Sequence, residues 1–155
     1  MEITNYLAAL SKYNLSDEAA QRVRELIRIV NELERMADIF YKLSLHKQRM
    51  IDCKIKLPEM VKVELEDYFD IIYKWIKEMN SKLLADDHKV DMDEVWRMED
   101  IVDEKRDVLK KKHFSRLEKA KYPVEHGLIF LDFVEGIERL GDHIVNVNQA
   151  IAGLK

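Results

Sequence analysis

Apolar residues recur at spacings of three and four along most of this chain, which is the period of an amphipathic helix. The predicted helices, numbered in chain order, are α1 (2–12), α2 (16–49), α3 (58–86), α4 (91–121) and α5 (123–153). No segment shows the alternating pattern of a strand, and short connections favour antiparallel neighbours. The pattern therefore predicts a single all-α domain over residues 1–155, an up-down antiparallel bundle of four long helices after a short N-terminal helix.

Each long helix has a predicted buried stripe. On α2 it comprises Val23, Ile27, Val30, Leu33, Ala37 and Phe40. On α3 it comprises Val61, Leu65, Tyr68, Ile72, Trp75, Met79 and Leu83, and on α4 Val95, Met98, Val102, Leu109 and Leu117. On α5 it comprises Phe130, Phe133, Ile137, Leu140, Ile144, Val147 and Ile151. Ser16 is the predicted N-cap of α2, Pro58 the first residue of α3, and Asp91 or Asp93 the cap of α4.

The composition narrows the class of protein. With 36% charged residues but only 4 Gly and 2 Pro, the chain is typical of long helices with few loops. It lacks both a continuous apolar stretch of roughly 18 to 20 residues and a signal peptide. The single Cys53 excludes an internal disulfide and fits a reducing compartment. The net charge is −4, and the one basic run, 110–112, lies opposite the apolar positions of α4, so no nucleic-acid partner is expected.

Two helical segments about a hundred residues apart are nearly the same. Residues 33–38 read Leu-Glu-Arg-Met-Ala-Asp and residues 137–142 read Ile-Glu-Arg-Leu-Gly-Asp. Each segment places two carboxylates one helical turn apart, with a small residue between them that would let a neighbouring helix come close. The acids are Glu34 and Asp38 in α2, and Glu138 and Asp142 in α5.

A third pair of acids, Glu99 and Asp103, lies on α4. Counting from the turn between α4 and α5 at 1.5 Å per residue places Asp103 nearly opposite Glu138, and Glu99 close to Asp142. Carboxylates brought together in this way need a cation, and Fe, Mn, Zn, Mg or Ca could supply it. The alternative is that the acids form salt bridges at the edge of the stripe, with Arg106 neutralising Asp103 and Lys42 neutralising Asp38.

Sequence motifs for catalysis are absent. A di-iron bundle needs Glu-x-x-His on two helices, and none of the five His residues is preceded by Glu at that spacing. The chain also has no phosphate-binding loop and no nucleophile elbow. We therefore expect a protein that is not an enzyme, with a carboxylate-rich metal-binding bundle for storage or catalysis as one alternative.

The repeated acidic segments resemble the paired Glu-Arg-Ile-Gly-Asp helices of the PhoU family of phosphate-uptake regulators. Glu99-x-x-x-Asp103 is similar to the acidic motif on that family's middle helix, and the resemblance runs in order through residues 16–155. It implies a regulatory domain without catalytic activity. Some PhoU proteins bind iron or zinc clusters through such acids, which would make Glu99, Asp103, Glu138 and Asp142 ligands, together with Glu34 and Asp38.

Within that family, the chain is most similar to the PhoU-like cytoplasmic tail of bacterial sodium/phosphate cotransporters. The segments that carry this likeness are 15–18, Leu-Ser-Asp-Glu, and 141–151 at the end of the chain. The resemblance implies a cytoplasmic domain tethered to the membrane through a transporter segment, in the same chain or in a partner protein. The alternative is a free-standing PhoU-type regulator. Exposed apolar residues such as Trp96 and Phe114 would also fit a homodimer.

Overall fold

The computed structural model describes residues 2–10, 13–85, 89–119 and 123–154. Its helices are α1 (Glu2–Leu10), α2 (Asp17–Asp52), α3 (Glu59–Leu84), α4 (Met92–Glu118) and α5 (Val124–Ile151). These described ranges contain no strand, and the predicted all-α fold is confirmed. Each helix boundary differs from the predicted one by at most three residues, and the predicted ends at 12, 86 and 121 lie outside the described residues.

Side chains cap the N-termini of α2 and α4 by accepting hydrogen bonds from free backbone N–H groups. The hydroxyl of Ser16 accepts a hydrogen bond from the backbone N of Ala19 at 3.3 Å, so it caps α2 as predicted. Of the two candidates for α4, Asp91 is the cap, and its Oδ1 accepts from the backbone N of Asp93 and of Glu94. Pro58 stands one residue before α3 rather than at its first position.

α5 is the central helix of the fold, because α2, α3 and α4 all pack against it. α3 also packs against α4, and these two helices form a three-helix bundle with α5. α2 runs antiparallel along another side of α5, as the contacts Arg28–Gln149 and Arg49–Glu125 near opposite ends of α2 demonstrate. The backbones of α2 and α3 do not approach each other. The expectation that helices adjacent in the chain pack together therefore fails for this pair.

The predicted stripes of α3 and α5 face the core, whereas the predicted stripe of α2 is only partly correct, since Val23 is buried but Ile27, Val30 and Leu33 are half-buried. All the predicted α5 positions and all those of α3 except the half-buried Leu83 are buried. On α4, Met98 and Leu117 are only half-buried. On α2, Ala37 and Phe40 are exposed, and the buried residues are Val23, Ile29, Glu32, Met36, Ile39, Leu43 and Met50. The reason is that α2 has apolar residues on more than one face, and α5 is the only long helix that covers one of them, while the short α1 also packs against α2.

The separation of α2 from α3 leaves an apolar groove between them, which we call the α2–α3 groove. Phe40 on α2 faces Phe69, Tyr73 and Ile76 on α3 across a cavity of about 280 Å³. Towards the α2–α3 connection, a second cavity of about 420 Å³ also contacts Phe69 and reaches Phe133 of α5. Within the part of the chain that the structure describes, no helix combines the length and the apolar character needed to span a membrane.

Candidate functional site

The acids predicted to converge between α4 and α5 lie around one arginine. Nη1 of Arg106 donates to Oδ1 of Asp103 at 2.9 Å and to Oε1 of Glu138 at 2.6 Å. Its Nε donates to Oδ1 of the neighbouring Asp107 at 2.9 Å. The axial match between Asp103 and Glu138 is therefore as the sequence predicted. We call Glu99, Asp103, Glu138 and Asp142 the α4–α5 carboxylate cluster.

The helices around this cluster pack closely because of Gly141. A Cβ atom added at this residue would lie 3.2 Å from Cγ1 of Val102 and 3.3 Å from Cζ3 of Trp75. The predicted role of the small residue is thus confirmed in α5. Beside it, the hydroxyl of the buried Tyr68 donates to the carbonyl of Val102 at 3.0 Å, which satisfies the phenol. Burial, and next the charge of Glu138, raise the pKa of Tyr68, so this donor keeps its proton.

Glu99 and Asp142 extend the cluster by one helical turn. Partial burial raises the pKa of Glu99, and the negative charges of Asp142 and Asp103 add to the shift. The pKa of Asp142 is also raised, first by burial and then by Asp103, although His143 and Arg106 act in the opposite direction. These effects mean that the negative charges of Asp103 and Asp142 reach Glu99, and that the charge of Asp103 reaches Asp142.

The remaining two predicted ligands are not part of this cluster. Glu34 and Asp38 are both exposed on α2, and α2 does not pack against α4. Ala37, between them, is exposed as well, so the small residue of this segment admits no neighbouring helix. The structure therefore brings together four of the six predicted residues and leaves the α2 pair in solvent.

The acid of α2 that does face another helix is Glu32, which the sequence analysis did not single out. Its carboxylate is buried at 7% exposure. Oε2 accepts from Nδ1 of His143 at 2.7 Å and from Nδ2 of Asn146 at 3.1 Å, and Oε1 accepts from Arg35 at 3.2 Å. This network joins α2 to α5. The burial of Glu32 could have been predicted from the sequence, because Glu32 continues the three-and-four spacing of Ile29 and the other buried positions of α2.

His113 is a second buried polar residue outside the prediction. Its ring stacks on Phe130 with centroids 5.0 Å apart, and it is fully buried. Gly127 makes room for it, because a Cβ there would lie 2.6 Å from Cε1 of His113. Burial lowers the pKa of His113, and the neighbouring charge of Arg116 lowers it further, so the imidazole is neutral in the folded chain. It packs as a core side chain.

The α4–α5 carboxylate cluster does not fit a metal ion in this arrangement. A divalent ion held by Asp103 and Glu138 would need oxygens at about 2.0 to 2.6 Å, in the place that Nη1 of Arg106 takes. Within the described ranges, no three His, Cys, Asp or Glu side chains are placed to hold a metal. The salt bridge that the sequence offered as the alternative for Asp103 is present. Binding of iron or zinc by the six acids stays a prediction.

These features define an all-α protein in which a three-helix bundle carries an acidic motif on its central helix. A comparison with known protein families matches the PhoU domain to residues 65–151, more than half of the chain. This segment covers most of α3, from Leu65 on, and the whole of α4 and α5. The chain belongs to the PhoU family.

One relative of the chain is a protein of Thermotoga maritima described as phosphate-specific transport system accessory protein PhoU homolog 1. It is 24% identical over 143 residues, which are 92% of this chain and 60% of the relative. The chain thus spans about 60% of the length of that relative. No solved structure matches the chain significantly.

Proposed function

We propose that this chain is a regulatory module of phosphate uptake, which acts by binding another protein and has no catalytic activity of its own. The observation that carries the proposal is the PhoU domain match over the three-helix bundle, residues 65–151. The description of the Thermotoga maritima relative as a transport accessory protein supports the same function.

The α2–α3 groove is the surface that we assign to the partner. Phe40 and Tyr73 lie on opposite walls of this groove. Both aromatic side chains are exposed, with exposed fractions of 44% and 58%. An amphipathic helix could insert its apolar side into the groove between α2 and α3, whose backbones do not contact each other. The proposed partner is a cytoplasmic segment of a membrane phosphate transporter, and a second copy of this chain is the alternative.

Two arrangements of the module would serve this function. In the first, a free-standing PhoU-type regulator in the cytoplasm binds the transporter as a separate protein, and the relative's description as an accessory protein favours it. In the second, the module is the cytoplasmic tail of a sodium/phosphate cotransporter and is tethered to the membrane. Residues 15–18 and 141–151, which are similar to such tails, are the support for that arrangement.

Phosphate uptake in cells of the source organism tests the proposal. Deletion of the coding segment should change the rate of radiolabelled phosphate uptake in phosphate-rich medium, and the intact gene should restore it. Phe40→Asp should fail to restore it, because a charge would line the apolar groove. Val108→Asp is the matched control, since Val108 is similarly exposed at 42% but lies on α4.

The same measurement separates the two arrangements. Replacement of sodium by potassium in the medium abolishes sodium-driven transport, so a deletion effect that disappears with sodium indicates the cotransporter tail. An effect that persists without sodium indicates the free-standing regulator. An uptake rate that the deletion leaves unchanged in both media would contradict the proposed function.

A further inference from the structure

Arg106 is the one residue that contacts carboxylates of both α4 and α5 within the described cluster. A single nitrogen, Nη1, lies within hydrogen-bonding distance of Asp103 and Glu138. Only 21% of the Arg106 side chain is exposed, and Glu138 is equally shielded. The arginine is therefore held between the two helices.

This position is where a bridging metal ion would have to bind. A cation that joins Asp103 to Glu138 must approach the same oxygens that accept hydrogen bonds from Nη1. Because a guanidinium stays protonated at every physiological pH, it competes with metal as a permanent counter-charge. Its pKa is raised further, chiefly by the hydrogen bond to Asp107.

The carboxylates that Arg106 does not contact are too few to form a metal site by themselves. Glu99 and Asp142 lie one helical turn away from Asp103 and Glu138, on the same two helices. Structural and catalytic zinc sites use at least three protein ligands. No such group is present among the described side chains.

We propose that Arg106 takes the place of a metal ion in the α4–α5 carboxylate cluster, so that the chain supplies the cation that joins these two helices. The native cluster then has no specific affinity for divalent metals. Removal of the guanidinium leaves Asp103 and Glu138 without their shared counter-charge, and carboxylates freed in this way attract hard and borderline cations. The proposal concerns the cluster alone and stands whether or not the chain regulates phosphate uptake.

Titration of the purified chain with Mn²⁺ and with Zn²⁺ tests this proposal. Free Mn²⁺ is measured by electron paramagnetic resonance, and Zn²⁺ binding is measured by calorimetry. The native chain should bind Mn²⁺ with a Kd weaker than about 1 mM, and Arg106→Met should bind it at least about tenfold more tightly. Arg106→Met combined with Glu138→Gln should return to the native affinity, because one of the two carboxylates that Arg106 had neutralised is then lost.

Arg35→Met is the matched control. Like Arg106, Arg35 forms an ion pair with an acid three residues before it. Its partner is Glu32 at 3.2 Å, but the Arg35 side chain is 64% exposed. Its removal should leave the affinity for Mn²⁺ and Zn²⁺ within about twofold of the native value, since its ion pair lies within α2 and is exposed to solvent.

Two results would overturn the proposal. One is native protein that binds about one ion per chain at micromolar Mn²⁺ or Zn²⁺ and loses the ion with Glu138→Gln. The other is a folded Arg106→Met variant with no gain in affinity. If circular dichroism finds that variant unfolded, the native chain is compared instead with Asp103→Asn and with Glu138→Gln. Equally weak metal binding by all three proteins supports the proposal. Tight binding by the native chain that either substitution abolishes overturns it.

Discussion

Residues 33–38 of α2 and 137–142 of α5 have almost the same sequence but different surroundings. In α5, Ile137, Leu140 and Gly141 are buried, and the acids at 138 and 142 belong to a cluster shared with α4. In α2, the acids and the small residue at 37 are exposed. The cause is the number of neighbouring helices. Three long helices pack around α5, whereas α5 is the one long helix that packs against α2.

The sequence of the repeated segment therefore does not determine whether its side chains are buried or exposed. A helix presents a given set of side chains in fixed directions, but which direction becomes the interior depends on where other helices lie. The same pair of acids consequently lies beside the carboxylates of α4 in one helix and only in solvent in the other, although Asp142 is exposed, as Glu34 and Asp38 are. The predictions below test whether that difference in packing has energetic consequences.

The small residues should give the largest contrast. Gly141→Leu should destabilise the fold by about 2 to 3 kcal/mol, because the added side chain has no space between Val102 and Trp75. Ala37→Leu, the matched change in α2, should alter the unfolding free energy by less than about 0.5 kcal/mol. Urea denaturation measures both. Equal losses would mean that α2 is also covered at this position.

The acids of α2 provide the next contrast. Glu32→Ala should cost about 2 kcal/mol, because it leaves the buried donors of His143 and Asn146 without their acceptor. Glu34→Ala, two residues away and exposed, should change stability by less than about 0.5 kcal/mol. The same denaturation experiment applies. A larger effect at Glu34 would return it to the candidate site.

The covered face of α5 should also make the fold sensitive to acid through His113. Because its folded-state pKa is lowered, the unfolded chain binds more protons, and stability falls as pH drops below about 6.5, by up to roughly 1.4 kcal/mol per pH unit. Unfolding free energies between pH 5 and 7.5 would measure this loss. His113→Gln cannot be protonated and should flatten the curve over that range. A curve as steep as that of the native chain would contradict the assignment.

Asp142 should give the smallest effect, with the opposite pH dependence. Its raised pKa means that the folded chain binds the proton better, so stability rises as pH falls through that folded-state pKa. Asp142→Asn should therefore stabilise the chain at pH 7, by less than about 1 kcal/mol because solvent screens the carboxylate, and the gain should disappear in acid. Asp38→Asn, on the uncovered segment, is the control and should have the smaller effect at pH 7.

The sequence was sufficient to predict the helices and the register of α4 against α5. Both follow from local geometry: the spacing of apolar residues fixes the faces of α3 and α5, and the rise per residue fixes the level of Asp103 and Glu138. Even the partner of Asp103 could be named, because Arg106 lies one turn along the same helix.

The face of α2 could not be predicted in the same way. Its apolar residues fall on two sides, and periodicity alone does not tell which side meets another helix. The choice depended on contacts with α5, more than a hundred residues away in sequence. Because of that error, Glu34 and Asp38 were predicted as site residues from their place in the repeated segment. Glu32, which is buried, was not predicted. His113 was missed for a related reason: it follows the basic run 110–112, which indicated a solvated face.

The bond between α4 and α5 at Arg106 also has a consequence for assembly in the cell. A cross-link made by a side chain is complete as soon as the polypeptide has folded, without a loading step. It cannot be removed by a chelator or altered by iron starvation or oxidative stress. The packing of α4 against α5 should thus not depend on the supply of trace metals. A high salt concentration is the condition that would weaken the Arg106 salt bridge.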